Sequence, residues 1–489
     1  MITEKPKHAG RKAVPKEEKK IGYKVYLTQE QQDEIEFFGV GSSFSERCAN
    51  LISLELERQK EVAQDTVRVI DLFAGLGGIR LGFEQGLKKQ GLHTKCVFTS
   101  EIKKYAIKAY QNQFGNEKIY GDITQIDTRD IPDFDVLLAG FPCQPFSSAG
   151  KGLGFSDTRG TLFFEIERII NEKNRAGKYV KAFLLENVEG LVNHDKGNTL
   201  KVIISKLKKL GYNVNWKVLD SQHFGLAQSR KRIYIVGTLK QMIDLDKFNM
   251  STATFGDIME HGLPTLRSKF TKCLLSNFSA EEILGKSIKD KRGGAENIHS
   301  WDIDLKGKTT RDQRELLNLL LKERRKKKWA EEIGIKWMDG MPLTAEQIKT
   351  FYYKKDLQIM LDDLVKKGYL TFEHPKALVE GERKPDFTKP KGYNIVAGKL
   401  SFEFSKILDP NDLVPTLVAM DVSKLGVVDG QGIRRLTIRE GQKLCGYNPD
   451  TYDLSILKES EAFDLLGNTV CVPVISAIAE KLAVIIKEI

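Results

Sequence analysis

The stretch 67–85, V-R-V-I-D-L-F-A-G-L-G-G-I-R-L-G-F-E-Q, decides the fold class. Its apolar run ends at Asp71 and predicts a buried strand. A turn with three glycines follows, and from about Ile79 the apolar residues recur at helical spacing. A strand, a glycine-rich turn and a helix in this order let the backbone approach a bound nucleotide closely. The glycines alone are a weak signal, because close helix packing also requires them.

The chain keeps this alternation of strands and helices up to about residue 240. Further strands are predicted at 95–99, 136–139, 181–185, 214–219 and 233–236, with helices at 162–170 and 198–210. Strands that alternate with helices build a mostly parallel sheet covered on both faces. The sequence therefore predicts an α/β fold with a doubly wound, mostly parallel sheet.

A cysteine follows one of these strands at once. In 137–150, L-L-A-G-F-P-C-Q-P-F-S-S-A-G, Cys143 lies between Pro142 and Pro145. The prolines restrict the backbone on both sides, and ligands of open α/β sheets gather at the carboxyl ends of the strands. This placement indicates a positioned nucleophile. A lone cysteine is nevertheless more often a packing residue, and these residues alone leave both interpretations open.

Other polar groups lie at the ends of the neighbouring strands. Glu186 and Asn187 come directly after the strand at 181–185. A carboxylate in such a place costs free energy unless it is paired or used. Gln228, Arg230 and Arg232 alternate along the predicted start of a later strand. Alternate residues of a strand share a face, so the two arginines are expected to act together.

Composition limits the kind of protein. The 489 residues, 41% hydrophobic and 29% charged, are typical of a soluble globular protein of about two to four domains. A net charge of +11 and a pI near 9.0 favour an acidic partner such as nucleic acid. The six cysteines form no C-x-x-C pair and no cluster at metal-ligand spacing, which predicts a reducing cytoplasm and no metal. The sequence has neither an apolar run long enough for a membrane span nor the apolar core of a signal peptide.

Residues 1–66 are predicted to be a basic N-terminal extension. A Lys-rich tail, 1–22, precedes a short strand at 23–27 and a helix that Thr28 caps. Gly39 and Gly41 end this helix, and a second one starts near Ser43. The unit loosely resembles a ribbon-helix-helix DNA-binding segment, which works as a dimer. A helical appendage packed on the main domain is the alternative.

The rest of the chain divides at about residue 433. Residues 241–433 mix short apolar runs with dense charge, including the basic run 322–328, which either is a solvated helix face or lines a phosphate backbone. From residue 434 the sequence again predicts regular secondary structure: a short helix that Thr437 caps, and an amphipathic helix that ends near Ile486.

The motifs, taken together in this order, resemble those of the cytosine-C5 DNA methyltransferases of bacterial restriction-modification systems. The matching stretches are D-L-F-A-G-L-G-G from Asp71, G-F-P-C-Q-P-F-S around Cys143, E-N-V from Glu186, Q-S-R-K-R from Gln228 and G-N-T-V ending at Val470. The resemblance implies a methyltransferase fold at 67–240 completed by 434–489, with a smaller target-recognition domain, 241–433, inserted between them. It implies S-adenosylmethionine as the cofactor and double-stranded DNA as the substrate.

The same resemblance implies the site residues. Cys143 would add to cytosine C6, Glu186 would donate a proton at N3, and Asn187 would position the loop. Arg232 would hold Glu186 and the cytosine O2, and Arg230 would steady the nucleophile loop or a phosphate. The implied catalytic residues are thus Cys143, Glu186, Asn187, Gln228, Arg230 and Arg232. The implied cofactor residues are Asp71, Phe73, Gly75, Gly77, Glu101, Ile102, Asp122, Ile123, Pro142, Leu162, Asn468 and Val470.

Two alternatives remain open from the sequence. The first keeps the chemistry and takes tRNA as substrate, although the long variable region and the basic N-terminal unit argue against it. The second is a DNA-binding regulator that acts through residues 1–66, and it is compatible with the enzyme. A cognate restriction endonuclease is expected as a functional and not a physical partner, and a monomer is expected.

Overall fold

The structure is a computed structural model that describes residues 25–64, 66–141, 162–290, 297–379, 382–396, 402–419 and 421–489. Pro142, Cys143 and the glycine-containing segment up to residue 161 lie outside the described residues. The chain divides into two units, Met1–Thr66 and Val67–Ile489. The domain limits expected at 240 and 433 stay predictions.

The first unit contains two helices, α1 Gln29–Phe38 and α2 Phe44–Gln64. The side chain of Thr28 accepts a hydrogen bond from the backbone N–H of Gln31, and the Gln31 side chain accepts one from the N–H of Thr28. Both predicted helices and the Thr28 cap are therefore confirmed. The predicted strand is wrong for Val25–Leu27, since these residues pair with no strand in the described part of the chain.

The second unit is built on a seven-stranded sheet with the order β3-β2-β1-β4-β5-β7-β6. Neighbouring strands from β3 to β5 run parallel where their register is defined, and β7 is antiparallel to both β5 and β6. The predicted doubly wound, mostly parallel sheet is confirmed. The strands are β1 Thr66–Leu72, β2 His93–Ser100, β3 Ile119–Tyr120, β4 Val136–Gly140, β5 Ala182–Val188, β6 Asn213–Asp220 and β7 Lys231–Thr238.

Helices cover both faces of this sheet because its central strands are apolar on both sides. Val69 and Leu138 pack towards α3 and α15, whereas Ile70 and Leu137 pack towards α5 and α6. Successive side chains of a strand point to opposite faces, so a fully apolar strand requires two helical layers. The helices concerned are α3 Gly78–Lys89, α4 Lys104–Phe114, α5 Leu162–Arg175 and α6 Asn198–Lys209, together with α13 Ile438–Cys445, α14 Glu459–Asn468 and α15 Val472–Ile486.

The C-terminal elements agree with the sequence prediction. Thr437 caps α13 in a reciprocal arrangement with Glu440. Helix α15 is buried along most of its length and packs against α3. No single helix of the described chain is long and apolar enough to cross a membrane, and only α14 and α15 together, bent by 41°, reach that length and composition.

The region between the sheet and the C-terminal helices forms two cores. One lies on a five-stranded sheet with the order β16-β15-β14-β8-β9, and the other surrounds the buried Trp301 and Trp329. The strands are β8 Ser287–Ile288, β9 Asn297–Ile298, β10 Leu370–Glu373, β11 Lys376–Val379, β12 Glu382–Pro385, β13 Gly392–Ile395, β14 Lys406–Ile407, β15 Leu425–Asp429 and β16 Gly432–Arg435. The helices are α7 Lys269–Asn277, α8 Ala280–Ile283, α9 Arg311–Glu323, α10 Lys328–Ile333, α11 Ala345–Lys349 and α12 Leu357–Lys366.

The basic run 322–328 is not one solvated helix face, as one of the two sequence interpretations held. Arg324 is buried and its Nη1 donates to Asn394 Oδ1 at 2.6 Å. Arg325 forms an ion pair with Asp339. Helix α9 ends before Arg324, so the run turns into the protein, where Arg324 binds β13 and Arg325 binds the segment after α10.

Candidate active site

A buried ion pair lies where β5 and β7 meet at the edge of the sheet. The Nε atom of Arg232 is 3.2 Å from Oε1 of Glu186, and both side chains are largely buried. The two strands are antiparallel, with Val188 opposite Arg232 and Tyr234 opposite Glu186. Glu186 and Arg232 are therefore diagonal neighbours on the paired strands β5 and β7. The backbone positions of both residues are fixed by the sheet and not by a loop.

The surroundings of Glu186 favour its protonated form. Burial raises the pKa of the carboxyl, and the positive charges of Arg232 and Arg230 oppose this rise without cancelling it. Burial also lowers the pKa of Arg232, and the neighbouring Arg230 lowers it further. A side chain at Gly140, the last residue of β4, would lie 3.6 Å from Oε2 of Glu186. The carboxyl therefore sits directly beside the point where the chain leaves β4.

Asn187 connects this pair to the start of the cysteine loop. Its Nδ2 donates to the carbonyl oxygen of Phe141 at 3.1 Å, and its Oδ1 accepts from the N–H of Val188. Asn187 and Phe141 are both buried. Since Phe141 directly precedes Pro142 and Cys143, the amide of Asn187 fixes the last described residue before that loop.

Gln228 and Arg230 take part in a different set of contacts. The prediction that they begin a strand is wrong, because β7 begins at Lys231. Arg230 nevertheless lies close enough to Arg232 to lower the pKa of its guanidinium. The N–H of Arg230 donates instead to Asp220 Oδ1 and to Ser221 Oγ, both at 3.0 Å. These two side chains thus accept the hydrogen bond that the Arg230 N–H would otherwise donate to a backbone carbonyl of a neighbouring strand.

Apart from a contact of 3.8 Å between Gln228 Nε2 and Cys445 Sγ, the two side chains bind main-chain groups. Arg230 donates to the carbonyl oxygens of Leu417, Gly467 and Thr469 at 2.9, 3.0 and 2.6 Å. Gln228 donates to the carbonyl of Leu444 at 2.8 Å and accepts from the N–H of Leu417 at 3.0 Å. With 2% of its surface exposed, Arg230 cannot reach a phosphate. In this structure it joins three separate chain segments.

We predict that Arg230→Lys destabilises the second unit. Lysine keeps the charge but cannot span three carbonyls, and each buried acceptor left without a donor costs about 1–3 kcal/mol. The free energy of unfolding in urea should fall by about 2–4 kcal/mol. Arg129→Lys, at a position 89% exposed in its side chain, is the matched control and should change it by less than about 0.5 kcal/mol. Equal stability of the two variants would contradict the assignment.

The glycine-rich turn after β1 has the backbone shape that its sequence predicts. Phe73, Gly75 and Gly77 all have left-handed conformations, with φ of 56°, 54° and 69°. A side chain at Gly77 would lie 2.4 Å from the Phe114 ring and 2.8 Å from that of Tyr110, whereas one at Gly75 would meet no atom within 4 Å. Gly77 therefore permits close packing on α4, and Gly75 leaves open space above the turn.

The acidic residue after β2 is tied to this turn. Oε2 of Glu101 accepts a hydrogen bond from the N–H of Gly75 at 2.8 Å. Its Oε1 accepts from the N–H groups of Ile102 and Lys103, also at 2.8 Å. Ile102 itself is 73% exposed. The structure thus brings Gly75, Glu101 and Ile102 together around one carboxylate.

Most of the other predicted cofactor residues lie around the same turn. Phe73, Ile123 and Leu162 share the apolar cluster on the α5 side of the sheet. Val470 packs against Gly78, where an added side chain would lie 2.8 Å from it. Asn468 is exposed and its Nδ2 donates to Asp464. Asp122 is exposed, and its Oδ1 accepts hydrogen bonds from the N–H and the hydroxyl of Thr124.

Asp71 is the most deeply buried of the polar residues predicted to bind the cofactor. It is 1% exposed and accepts a hydrogen bond from the Tyr110 hydroxyl at 3.3 Å. Burial raises the pKa of its carboxyl to about 8. Its contact with a cofactor stays a prediction.

Sequence reasoning missed a tyrosine that also holds the turn. The hydroxyl of Tyr452, buried in the segment between α13 and α14, donates to the carbonyl oxygen of Leu76. No local pattern around Tyr452 indicates this contact, since its partner is far away in the chain. The described residues contain no group of three or more His, Cys, Asp or Glu side chains that could hold a metal.

Comparison with known sequences identifies the family. The model of the family described as C-5 cytosine-specific DNA methylase matches residues 67–483, most of the second unit. This chain belongs to that family. The cytosine methylase is 57% identical over 423 residues to the type II methyltransferase M.NlaIV of Neisseria lactamica, covering 85% of this chain and 98% of the relative. It is 43% identical to M.BanI of Aneurinibacillus aneurinilyticus, covering 85% and 95%.

The predicted family and enzyme class are thereby confirmed: the chain is a DNA cytosine-C5 methyltransferase. Solved structures are also similar, among them the S. pombe Dnmt2 methyltransferase, with 16% identity and a TM-score of 0.45 over 86% of this chain and 99% of that one. Likeness at this level carries no part of the assignment. The family match starts at the first residue of the second unit, so residues 1–66 lie outside it.

Proposed function

We propose that this methylase transfers a methyl group from S-adenosylmethionine to C5 of one cytosine within a specific duplex sequence, with Cys143 as the nucleophile. The observation that carries the proposal is the buried pair Glu186–Arg232, placed beside Gly140 at the start of the cysteine loop. The type II relatives support a role in protecting DNA from a cognate restriction endonuclease.

The residues of the glycine-rich turn fit S-adenosylmethionine. The space above Gly75 is open, and the fixed carboxylate of Glu101 suits the hydroxyls of a ribose. Phe73 and the exposed Ile102 offer apolar contacts for an adenine, and Leu162, Ile123 and Val470 would complete the pocket with Asn468, Asp122 and Pro142 at its edge. When bound, the cofactor supplies an electrophilic methyl group on a sulfonium sulfur.

The chain's own residues must make the cytosine reactive, because C5 is a poor nucleophile. The thiolate of Cys143 adds to C6, forming a carbon–sulfur bond, while Glu186 gives a proton to N3. The electrons of the C5–C6 double bond then become available at C5, as in an enamine, and C5 takes the methyl group. Loss of the C5 proton to water, departure of Cys143 from C6 as a thiolate and return of the N3 proton to Glu186 restore the aromatic ring.

The buried pair explains how Glu186 can act as an acid near neutral pH. A carboxyl in water is ionised there, and burial at the end of β5 shifts it towards the protonated form. Arg232 fixes the orientation of the carboxyl and would contact the cytosine O2. Asn187 holds the carbonyl of Phe141, which sets the starting point of the loop that carries Cys143.

The target cytosine must leave the duplex to meet these groups, because its C6 and N3 are enclosed by stacking and base pairing. Residues 241–433 would then choose the sequence, with their basic and amide side chains reading base edges in the major groove. The net charge of +11 supports this phosphate-rich partner.

The test is methyl transfer by the purified full-length chain. The protein is incubated with labelled S-adenosylmethionine and either plasmid DNA or total tRNA, and the DNA product is sequenced after bisulfite treatment. We expect label in the DNA and protection of one cytosine within a single recurring sequence. Label in tRNA alone, or methylation at a position other than cytosine C5, would overturn the proposal.

A further inference from the structure

The N-terminal unit lacks a core of its own. Not one of the described residues 25–55 is buried, and α1 contributes no buried side chain. The unit nevertheless carries large apolar side chains at the surface: Phe37 is 81%, Phe38 68% and Ile52 59% exposed. Two helices of this size cannot bury enough apolar surface alone, and such short domains usually need a metal, a disulfide or a partner chain.

The unit offers neither of the first two. Cys48 is its one cysteine, so no disulfide can form within the unit. Its described residues include no cluster that could hold a metal. Association with another surface is therefore the remaining way to cover the apolar side chains.

The charge of residues 25–64 argues against nucleic acid as the partner that covers their apolar side chains. Residues 25–64 contain eight acidic and three basic side chains. A phosphate backbone would be repelled by such a surface. Residues 1–24, which precede it, contain eight basic and three acidic side chains, so the unit as a whole carries two complementary parts.

The segment before α1 supports a partner that is itself a copy of this unit. Val25–Leu27 lies outside any helix, exposes the apolar side chains of Val25 and Tyr26 and pairs with nothing in the described part of the chain. Two such segments related by a twofold axis can pair antiparallel, and an isologous interface is complementary to itself.

The catalytic unit is a weaker candidate than a second copy for the surface that covers the apolar side chains of α1 and α2. M.NlaIV and M.BanI align over 98% and 95% of their own lengths while 85% of this chain is covered, and the family match begins only at residue 67. The methylase unit is therefore complete in relatives that have no counterpart of residues 1–66.

We propose that residues 25–64 form a dimerisation unit in which a second copy of this chain covers the apolar faces of α1 and α2, with the 25–27 segments paired across the twofold axis. The methylase then acts as a homodimer joined through its N-terminal units. This inference does not depend on the residue roles proposed for catalysis.

The test is the mass of the full-length protein in solution, measured by analytical ultracentrifugation over a dilution series without DNA. We expect twice the chain mass of 55.3 kDa at high concentration. The double substitution Phe38→Asp with Ile52→Asp should raise the dimer dissociation constant by at least about tenfold. Val202→Asp, an exposed apolar position on α6, is the matched control and should leave the dimer unchanged.

Methyl transfer is measured on the same samples as a check of folding, since none of these three residues lies in the catalytic machinery. Retained activity with loss of the dimer supports the proposal. A wild-type protein that stays at one chain mass at all concentrations overturns it, as does a dimer that persists in the double variant. A dimer that forms only when DNA is added also overturns it.

Discussion

Cys143→Ser is expected to abolish methyl transfer, with a rate at least about 10⁴-fold below that of the wild type. The reacting species is a thiolate, and a serine hydroxyl stays protonated at neutral pH and adds poorly to C6. DNA binding should persist, because the contacts proposed to hold the duplex come from residues 241–433. Single-turnover transfer of labelled methyl groups to the duplex found by bisulfite mapping measures the effect.

Covalent trapping separates a lost nucleophile from a disturbed loop. In a duplex with 5-fluorocytosine at the target position, the fluorine cannot leave C5 as a proton does, so the bond between Cys143 and C6 should survive denaturation. We expect a trapped complex with the wild type and with Cys273→Ser, whose thiol is half-buried in the recognition region, and none with Cys143→Ser. A trapped complex with Cys143→Ser would assign the nucleophile to another residue.

Glu186→Gln is expected to lower the rate of methyl transfer by about 10²–10⁴-fold. Glutamine keeps the size of the side chain and can donate a hydrogen bond, but it cannot transfer a proton to N3. Glu172→Gln, on the outer side of α5 and 47% exposed in its side chain, is the matched control and should keep full activity. A glutamine variant as active as the wild type would remove Glu186 from the mechanism.

The pH profile adds a second readout for Glu186. The active form of the carboxyl is the protonated one, and burial raises its pKa, so the wild-type rate should fall as pH rises through that raised pKa. In Glu186→Gln the decline on the alkaline side should disappear, whereas an unchanged decline would assign it to another group.

The sequence predicts most of what is local. Apolar runs predict β1, β4 and β5, and the positive φ of Gly75 and Gly77 agrees with the glycines placed there. The caps at Thr28 and Thr437 follow from residues three positions later, Gln31 and Glu440. Each of these features depends on side chains within one turn of the backbone.

The contacts that the sequence does not predict join residues that are far apart in the chain. The hydrogen-bond partners of Arg230 are carbonyls of Leu417, Gly467 and Thr469, which no local pattern indicates. The contact of Asp71 with Tyr110 from α4 is equally invisible in the sequence around either residue. Tyr452 reaches the turn after β1 from the far end of the chain. Tertiary packing decides such contacts, and a single sequence does not show it.

The contacts of Gln228 and Arg230 depend on the backbone of distant chain segments. Both side chains bind main-chain atoms at Leu417, Leu444, Gly467 and Thr469, and every residue type except proline offers the same carbonyl and N–H groups. A substitution at Leu417 can therefore leave these hydrogen bonds in place, whereas a side chain at Gly467 would lie 2.2 Å from the backbone nitrogen of Ala419. The two ends of this connection thus tolerate sequence change to different degrees: the position of the backbone matters at Leu417, and the size of the side chain matters at Gly467.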